Sequence, residues 1–240
     1  MKKLLFLAFA LAFFCACSDD DSGIGLEKTE IELLSDESYT ILSSSDHVLT
    51  YTSDNNFVAT VSSQGVIEAQ RIGHAKISVS DGETVEYISV KINPKYDLYP
   101  EPFLEFGTKR SDIIARFGIP TQETEQGISY IDNTNTTKAP VRIFLFDDND
   151  RLSSTNIGVR TEYSSILGSF LNERYLLYTY DEEEATVFFV DGLTDATISM
   201  AVAATIYTEE FWLITYFPYL PSKAMTSLQL PDQDLLKLFP

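Results

Sequence analysis

The chain has 240 residues and a formal net charge of −19, with 17 Lys and Arg against 36 Asp and Glu. This acidic balance excludes nucleic acid as a partner, because a phosphate backbone requires a basic face. A hydrophobic content of 44% and a charged content of 22% are typical of a globular chain rather than a disordered one. The chain has only two His and two Cys, so it lacks the residues that most metal sites and catalytic nucleophiles require. We therefore predict that it is not an enzyme and has no cofactor and no metal.

The first sixteen residues predict a signal peptide. Lys2 and Lys3 precede an unbroken apolar run over residues 4–16. A bilayer span needs about 20 apolar residues, so the run is too short to cross a membrane and fits the hydrophobic region of a secretion signal. No later segment of the sequence approaches that length, and we therefore expect no transmembrane helix after cleavage.

Cys17 is the predicted lipidation site. It follows a small residue, Ala16, at the end of the apolar run, and this junction resembles a bacterial lipobox. The resemblance implies cleavage before Cys17 and acylation of its thiol, so that only the N-terminal acyl chains would contact the membrane. Cys15 is the rival site, but it follows the bulky Phe14. An ordinary secreted protein with a free Cys near its end is the alternative.

An acidic tether over residues 17–25 follows this cysteine. Its Asp19, Asp20 and Asp21 resemble the surface-export signal of some Gram-negative outer-membrane lipoproteins. The resemblance implies a protein that is lipid-anchored in the cell outer membrane and exposed at the cell surface. A solvated linker with no sorting role is the alternative.

Residues 26–93 predict a first domain built of short strands. Ile31 and Leu33 alternate with glutamates, and a longer alternating run covers residues 84–92. Strands recur about every 8–12 residues with turn residues between them, which is typical of a β-sandwich.

Four short motifs in this region resemble the bacterial Ig-like domain of group 2 (BIG2). They are Tyr51-Thr52-Ser53-Asp54-Asn55, Val58-Ala59-Thr60-Val61, Gly65-Val66-Ile67 and Gly73-His74-Ala75-Lys76-Ile77. Tyr51 stands where the family usually has Trp. Gly65 and Gly73 are expected at tight turns that need positive φ. The resemblance implies an Ig-like sandwich, and such domains serve as spacers or as parts of adhesins.

Pro-containing turn segments over residues 94–102 predict a linker between two domains. A short helix is expected next, with Thr108 or Ser111 as its N-terminal cap and with Gly118 and Pro120 ending it. Strands are then predicted over residues 127–131, 141–146, 152–159, 197–207 and 211–219.

The second domain is predicted to hold two tandem helix-plus-antiparallel-sheet units, at residues 103–160 and 161–221. The pattern around Ser111–Phe117 recurs weakly around residues 164–170. The first unit resembles SmpA/OmlA-type envelope lipoproteins and the repeats of β-lactamase-inhibitor proteins, which implies binding of other proteins through sheets. The predicted fold class is therefore mostly β with short helices, an Ig-like sandwich followed by an α+β domain. The leucine-rich tail, residues 222–240, is expected to pack on this second domain.

We interpret the polar clusters in the sequence as structural rather than catalytic. His47 and His74 have no accompanying G-x-S-x-G elbow and are interpreted as surface residues. Residues 147–150 are rich in Asp, which suits either a hairpin turn or calcium, but the Gly and distal Glu of a calcium loop are missing. The acidic residues 181–184 are expected at a hairpin tip.

The aromatic stretch over residues 211–219 gives the candidate binding residues Trp212, Tyr216 and Tyr219. Trp212 and Tyr216 share one face of a strand, and both faces of that strand are apolar. Burial in a central strand is the favoured interpretation, particularly for Trp212, and an exposed aromatic platform for protein or glycan is the alternative.

The predicted function is that of a non-enzymatic, surface-exposed outer-membrane lipoprotein. According to this prediction, an Ig-like spacer presents an α+β domain that binds a protein or a glycan. The alternative is a periplasm-facing envelope assembly or inhibitor lipoprotein that binds a protein partner.

Overall fold

The computed structural model describes residues 23–132, 134, 136–220 and 238. It is mostly β, with two short α-helices. The predicted signal peptide, Cys17 and the acidic run up to residue 22 lie outside the described residues. Within the part that the structure describes, no helix is long and apolar enough to cross a membrane.

Residues 24–93 form a sandwich of two sheets. Its strands are β1 (Glu30–Leu34), β2 (Ser38–Thr40), β3 (Thr50–Ser53), β4 (Ala59–Val61), β5 (Val66–Ala69), β6 (Gly73–Ser80) and β7 (Val85–Asn93). One sheet has the order β1-β7-β6-β3 and the other β2-β5-β4. The β1–β7 pair is parallel, with Glu30 opposite Ser89 and Leu34 opposite Asn93, and the other pairs are antiparallel.

The sandwich core is supplied by the alternating apolar residues of these strands. Ile31 and Leu33 point inward while their glutamate neighbours are exposed, as the period-2 pattern predicts. Ile24 is also fully buried in this core, and its backbone N–H donates to Glu86 Oε1 at 2.7 Å. Ile24 therefore belongs to the sandwich core, although the sequence prediction placed it in the tether over residues 17–25.

The two turn glycines adopt the predicted conformation. Gly65 has φ 75° and Gly73 has φ 139°. A Cβ built on Gly65 would lie 2.9 Å from the Tyr51 ring, and one on Gly73 would lie 2.9 Å from Val58 Cγ2. Both turns therefore need glycine for its backbone freedom and for its small size.

The second region contains two helices and one continuous eight-stranded sheet. Its elements are α1 (Arg110–Phe117), β8 (Gln122–Glu123), β9 (Gly127–Ile131), β10 (Val141–Phe146), β11 (Leu152–Arg160), a 3-10 turn (Thr161–Tyr163), α2 (Ser164–Asn172), β12 (Leu176–Asp181), β13 (Thr186–Val190), β14 (Met200–Ile206) and β15 (Phe211–Pro218). The strand order is β12-β13-β14-β15-β11-β10-β9-β8, and every pair is antiparallel. Each helix precedes four strands, and the β11–β15 pair joins the two sets into one sheet.

The predicted capping of α1 is wrong. Lys109 occupies the N-cap position without a side-chain cap hydrogen bond. The Thr108 hydroxyl donates instead to the Glu105 carbonyl at 2.6 Å, and Ser111 lies inside the helix. The C-terminus agrees with the prediction, because the helix ends at Phe117 and Gly118 follows with φ 88°.

The central strands of the sheet are buried on both faces. The helix side holds two apolar clusters, one around α1 with Ile113 and Phe144, and one around α2 with Phe170 and Tyr216. The opposite side carries Val141, Ile143, Phe211 and Leu213, and Leu238 is buried against these four residues. The rest of the predicted tail lies outside the described residues.

The segment predicted to be a linker is packed into the second region. Leu98 and Tyr99 are 4% and 6% exposed and belong to the α2 cluster. The Tyr99 and Tyr216 hydroxyl oxygens are 2.7 Å apart. Residues 94–102 are therefore not a free spacer, because two large side chains between the prolines are buried in a core.

The junction between the two regions is built on Glu173, at the C-terminal end of α2. This side chain is only 4% exposed. Its carboxylate accepts hydrogen bonds from Ser35 Oγ (2.9 Å), Lys95 N (2.9 Å), Tyr96 N (3.2 Å) and Arg174 Nη1 (2.5 Å). The Glu173 carbonyl also accepts from Ile72 N at 2.8 Å. A buried carboxylate is tolerated here because it is paired and its oxygens are hydrogen-bonded.

Candidate functional site

The structure does not bring the predicted binding residues together on an exposed surface. Tyr216 is fully buried, and Tyr219 is half-buried, with its hydroxyl 3.2 Å from Asp195 Oδ1. Trp212 is half-buried against the α2 cluster, and its Nε1 donates to Ser164 Oγ at 2.8 Å. These positions form no aromatic platform, because β15 is a central strand whose side chains pack on both sides.

The buried tyrosines at the sheet centre stay neutral. Burial raises the pKa of Tyr99 and of Tyr216 far above the ordinary tyrosine value. Burial likewise raises the pKa of Tyr175, whose ring lies 6.0 Å from that of Tyr216. This group is a hydrogen-bonded part of the core and offers no proton near neutral pH.

The two histidines lie exposed on the Ig-like region. Within residues 23–132, 134, 136–220 and 238, no three His, Cys, Asp or Glu side chains approach closely enough to hold a metal ion.

The Asp-rich segment at residues 147–150 is a hairpin turn between β10 and β11. The Asp147 carboxylate accepts from the backbone N–H groups of Asn149 and Arg151, each at 2.9 Å. Asp150 has φ 58° and pairs with Arg110 at 2.6 Å. The carboxylates that suggested calcium are therefore occupied by turn hydrogen bonds and an ion pair. Residues 181–184 form the tip of the β12–β13 hairpin in the same way.

A pocket of about 370 Å³ opens on the helix side of the sheet, over β9, β10 and β11. Tyr130, Arg142 and Ile157 form its floor as directly paired neighbours on three adjacent strands. The remaining lining residues are Tyr99, Pro100, Thr121, Ile131, Asp132, Thr137, Ala139, Pro140 and Val141. Its volume falls in the range of small-molecule sites, which is about 300–1,000 Å³.

Arg142 is the cation in this pocket. Its Nε is buried without a hydrogen-bond partner, and it forms no ion pair with any described residue. The guanidinium lies 5.3 Å from the Phe117 ring centroid. Burial lowers the pKa of Arg142, although an arginine remains protonated in such an environment. Arg110, Arg116 and Arg174 are each paired with carboxylates. Arg71, in the sandwich, also has a buried Nε without a hydrogen-bond partner.

Acceptor groups lie on another wall of the pocket. The Asp132 carboxylate accepts from Thr134 and Thr137, and these hydrogen bonds lower its pKa to about 2. Asp132 is therefore ionised at neutral pH. The Thr121 hydroxyl accepts from Ile131 N at 3.0 Å and can still donate a hydrogen bond of its own.

Sequence reasoning missed this site, although one signal was present. Arg142 interrupts the apolar strand Val141–Phe146 at a position whose side chain faces the helices. A charged side chain at an inward-facing position of a strand is unusual unless it forms an ion pair or has a functional role. Its lack of a partner becomes visible only from the folded arrangement.

The comparisons with known proteins identify one region. Residues 36–92 match the bacterial Ig-like domain (group 2). This match confirms the BIG2 resemblance for the sandwich, and it covers less than half of the chain. No curated protein matches the chain as a whole.

Two solved structures give long but weak alignments. The chain aligns with domains 5–6 of the S-layer protein SbsC at 8% identity and a TM-score of 0.27, covering 84% of this chain and 85% of that one. It aligns with human protocadherin-24 EC1-2 at 10% identity and a TM-score of 0.25, covering 81% and 93%. Similarities this low carry no argument about fold or function.

Proposed function

We propose that the protein is a non-enzymatic, surface-exposed lipoprotein of the outer membrane. In this proposal the Ig-like region is a spacer, and the helix-and-sheet region binds a protein or a glycan. The acyl chains on Cys17 are the only contact with the membrane.

The Glu173 junction is the observation that carries this proposal. A spacer can present a binding region to its ligand when it holds that region in a defined position. Glu173 connects the β1–β2 turn, the segment after β7 and the end of α2 through hydrogen bonds from Ser35, Lys95 and Tyr96. The sandwich itself carries no comparable buried polar centre among its described residues, which suits a supporting role.

The same proposal interprets the second region as two tandem helix-plus-sheet units. Each helix, α1 or α2, is followed by four antiparallel strands, and β11 and β15, the last strand of each set, pair with each other. The resemblance of the first unit to protein-binding envelope families supports a binding role rather than catalysis. Two buried pairs at the sheet centre support the same view, because Asn156 is hydrogen-bonded to Thr215 and Tyr99 to Tyr216.

Two measurements test the localisation. Replacement of Cys17 by Ala should release the protein from the membrane fraction, because the acyl chains are the only apolar anchor proposed. Replacement of Cys15 by Ala is the matched control and should leave the protein bound. A Cys17→Ala protein that stays with membranes after a high-salt wash would contradict the lipoprotein assignment.

Protease treatment of intact cells tests surface exposure. We expect the wild-type protein to be degraded while a periplasmic marker in the same cells survives. Protection until the outer membrane is permeabilised would instead favour the periplasm-facing alternative. Glycan arrays and pull-downs from envelope extracts with the chain lacking residues 1–17 then test the binding role.

A further inference from the structure

We propose that the pocket around Arg142 binds the carboxylate of an acidic sugar, such as a uronic acid. This inference rests on the proposed binding function and names the ligand class of one site. The pocket lies on the helix side of the sheet, between the α1 cluster and the segment at Tyr99 and Pro100.

Arg142 is the basic side chain that lines the pocket, and no described carboxylate forms an ion pair with it. Acidic residues outnumber basic ones by 36 to 17, so carboxylate partners are plentiful. Arg142 nevertheless has no ion pair among the described residues, and its Nε is both buried and without a partner. An unpaired charge in a partly desolvated site costs free energy, and an incoming carboxylate would offset that cost.

An aromatic ring and two strand neighbours surround the Arg142 side chain. The Phe117 ring lies 5.3 Å from the guanidinium, and Tyr130 and Ile157 flank it on the neighbouring strands. A planar guanidinium carries its N–H groups as a fork, which matches the two oxygens of a carboxylate.

Asp132 and Thr121, which also line the pocket, favour a ligand that carries hydroxyl groups. Asp132 is ionised and accepts hydrogen bonds, so it disfavours phosphate or another compact multiply charged anion. A sugar acid supplies a carboxylate for Arg142 and hydroxyl donors for Asp132, while Thr121 can donate to a ring or hydroxyl oxygen. The aromatic ring of Tyr130 offers an apolar contact for the ring face.

A matched pair of sugars tests the inference. Methyl β-D-glucuronide and methyl β-D-glucoside differ at the carboxylate, and each is titrated into the chain lacking residues 1–17 by isothermal calorimetry. We expect the glucuronide to bind at least about tenfold more tightly, because a charge-assisted hydrogen bond is lost in the glucoside. Arg142→Gln should weaken glucuronide binding by a similar factor, and Arg142→Lys should weaken it less.

Lys91→Gln is the control, because it removes a positive charge from the exposed surface of the sandwich, where Lys91 pairs with Glu32. It should leave glucuronide affinity unchanged. If Arg142→Gln does not fold, NMR of the arginine Nε–H signals in the wild-type protein replaces it, and we expect one buried signal to shift on addition of glucuronide.

Three outcomes would overturn the inference. One is that the glucuronide fails to bind, and another is that its affinity is the same in Arg142→Gln. The third is tighter binding of an acidic peptide than of the glucuronide at Arg142. Binding of a neutral glycan or a protein that is unaffected by Arg142→Gln would refute this site while leaving the proposed binding function intact.

Discussion

The Ig-like region and the helix-and-sheet region differ in where they place polar groups. In the sandwich, inward positions are apolar, and its buried polar residue Ser35 lies at the junction with the second region. The sheet region instead buries Asn156 and Thr215 as a cross-strand hydrogen-bonded pair, in addition to the Tyr99–Tyr216 pair. The described core of the sandwich is therefore apolar, whereas the sheet region retains buried polar groups.

The difference also appears in the way each region is closed. The described buried apolar residues of the sandwich form one core between its two sheets. The sheet region has one sheet with a helix side and an opposite side, so it requires cover on both. This leaves a gap on the helix side between the α1 and α2 clusters, and the Arg142 pocket occupies that gap.

The largest expected effect separates the two regions energetically. Tyr216→Ala should cost the sheet region about 3–5 kcal/mol, because it removes a fully buried ring and leaves the Tyr99 hydroxyl unpaired. Trp212 is the sole tryptophan, so its fluorescence reports unfolding of this region by urea. Tyr219→Ala is the control and should change stability far less. A fluorescence midpoint that does not move in Tyr216→Ala would contradict the core role of this residue.

A second substitution tests the sandwich by itself. Gly65→Ala should cost about 2–3 kcal/mol, because alanine is strained at φ 75° and its Cβ would press on the Tyr51 ring. Gly82→Ala is the matched control. Its φ is also positive, at 97°, but no heavy atom lies within 4 Å of the added Cβ, so the expected cost is about 1 kcal/mol. Far-UV circular dichroism during thermal unfolding compares the two variants. Equal losses would show that the close approach to Tyr51 is unimportant.

A substitution at the Glu173 junction should have a smaller effect, which is to loosen the contact between the two regions. Glu173→Gln should weaken the contact by about 1–2 kcal/mol, because an amide cannot satisfy all the donors that the carboxylate accepts from. We expect NMR relaxation to show the two regions tumbling more independently than in the wild type. Glu101→Gln, at the exposed partner of Arg174, is the control and should leave the relaxation rates unchanged. Unchanged tumbling in Glu173→Gln would remove the main support for a fixed spacer.

The smallest effect near neutral pH is expected from the buried tyrosines. Raising the pH above about 10 should destabilise the sheet region. The unfolded chain loses tyrosine protons near pH 10, whereas burial raises the pKa of Tyr99, Tyr175 and Tyr216 in the folded state. The stability is therefore fully present below about pH 10 and falls as the pH rises above it. Urea midpoints read by Trp212 fluorescence at pH 9 and pH 11 measure this loss, and Tyr99→Phe should reduce it. A midpoint independent of pH over this interval would argue against buried neutral tyrosines.

Much of the fold follows from local sequence patterns. The strand bounds Gly127–Ile131 and Val141–Phe146 agree with the prediction, because turn residues flank each apolar run. Gly65 and Gly73 were predicted at positive φ from their place in the Ig-like motifs, and both adopt it. These features depend on neighbouring residues, which a sequence displays directly.

The junction and the pocket depend on residues far apart in the chain. Ser35 and Glu173 are separated by 138 positions, so no local pattern links them. Leu98 and Tyr99 lie among prolines, and this composition predicts a linker even though both side chains are buried. The lack of an ion pair at Arg142 likewise depends on how β9, β10 and β11 align.

The parallel pairing of β1 with β7 determines how the sandwich responds to mechanical force. The chain enters β1 at Glu30 and leaves β7 at Asn93, and these residues lie at opposite ends of the paired strands. A pull between the N-terminal side and the sheet region therefore draws the two strands past each other along their length. The hydrogen bonds of all five residue pairs share that load at once instead of opening one after another. The Ig-like region is thus arranged to resist shear between its two ends.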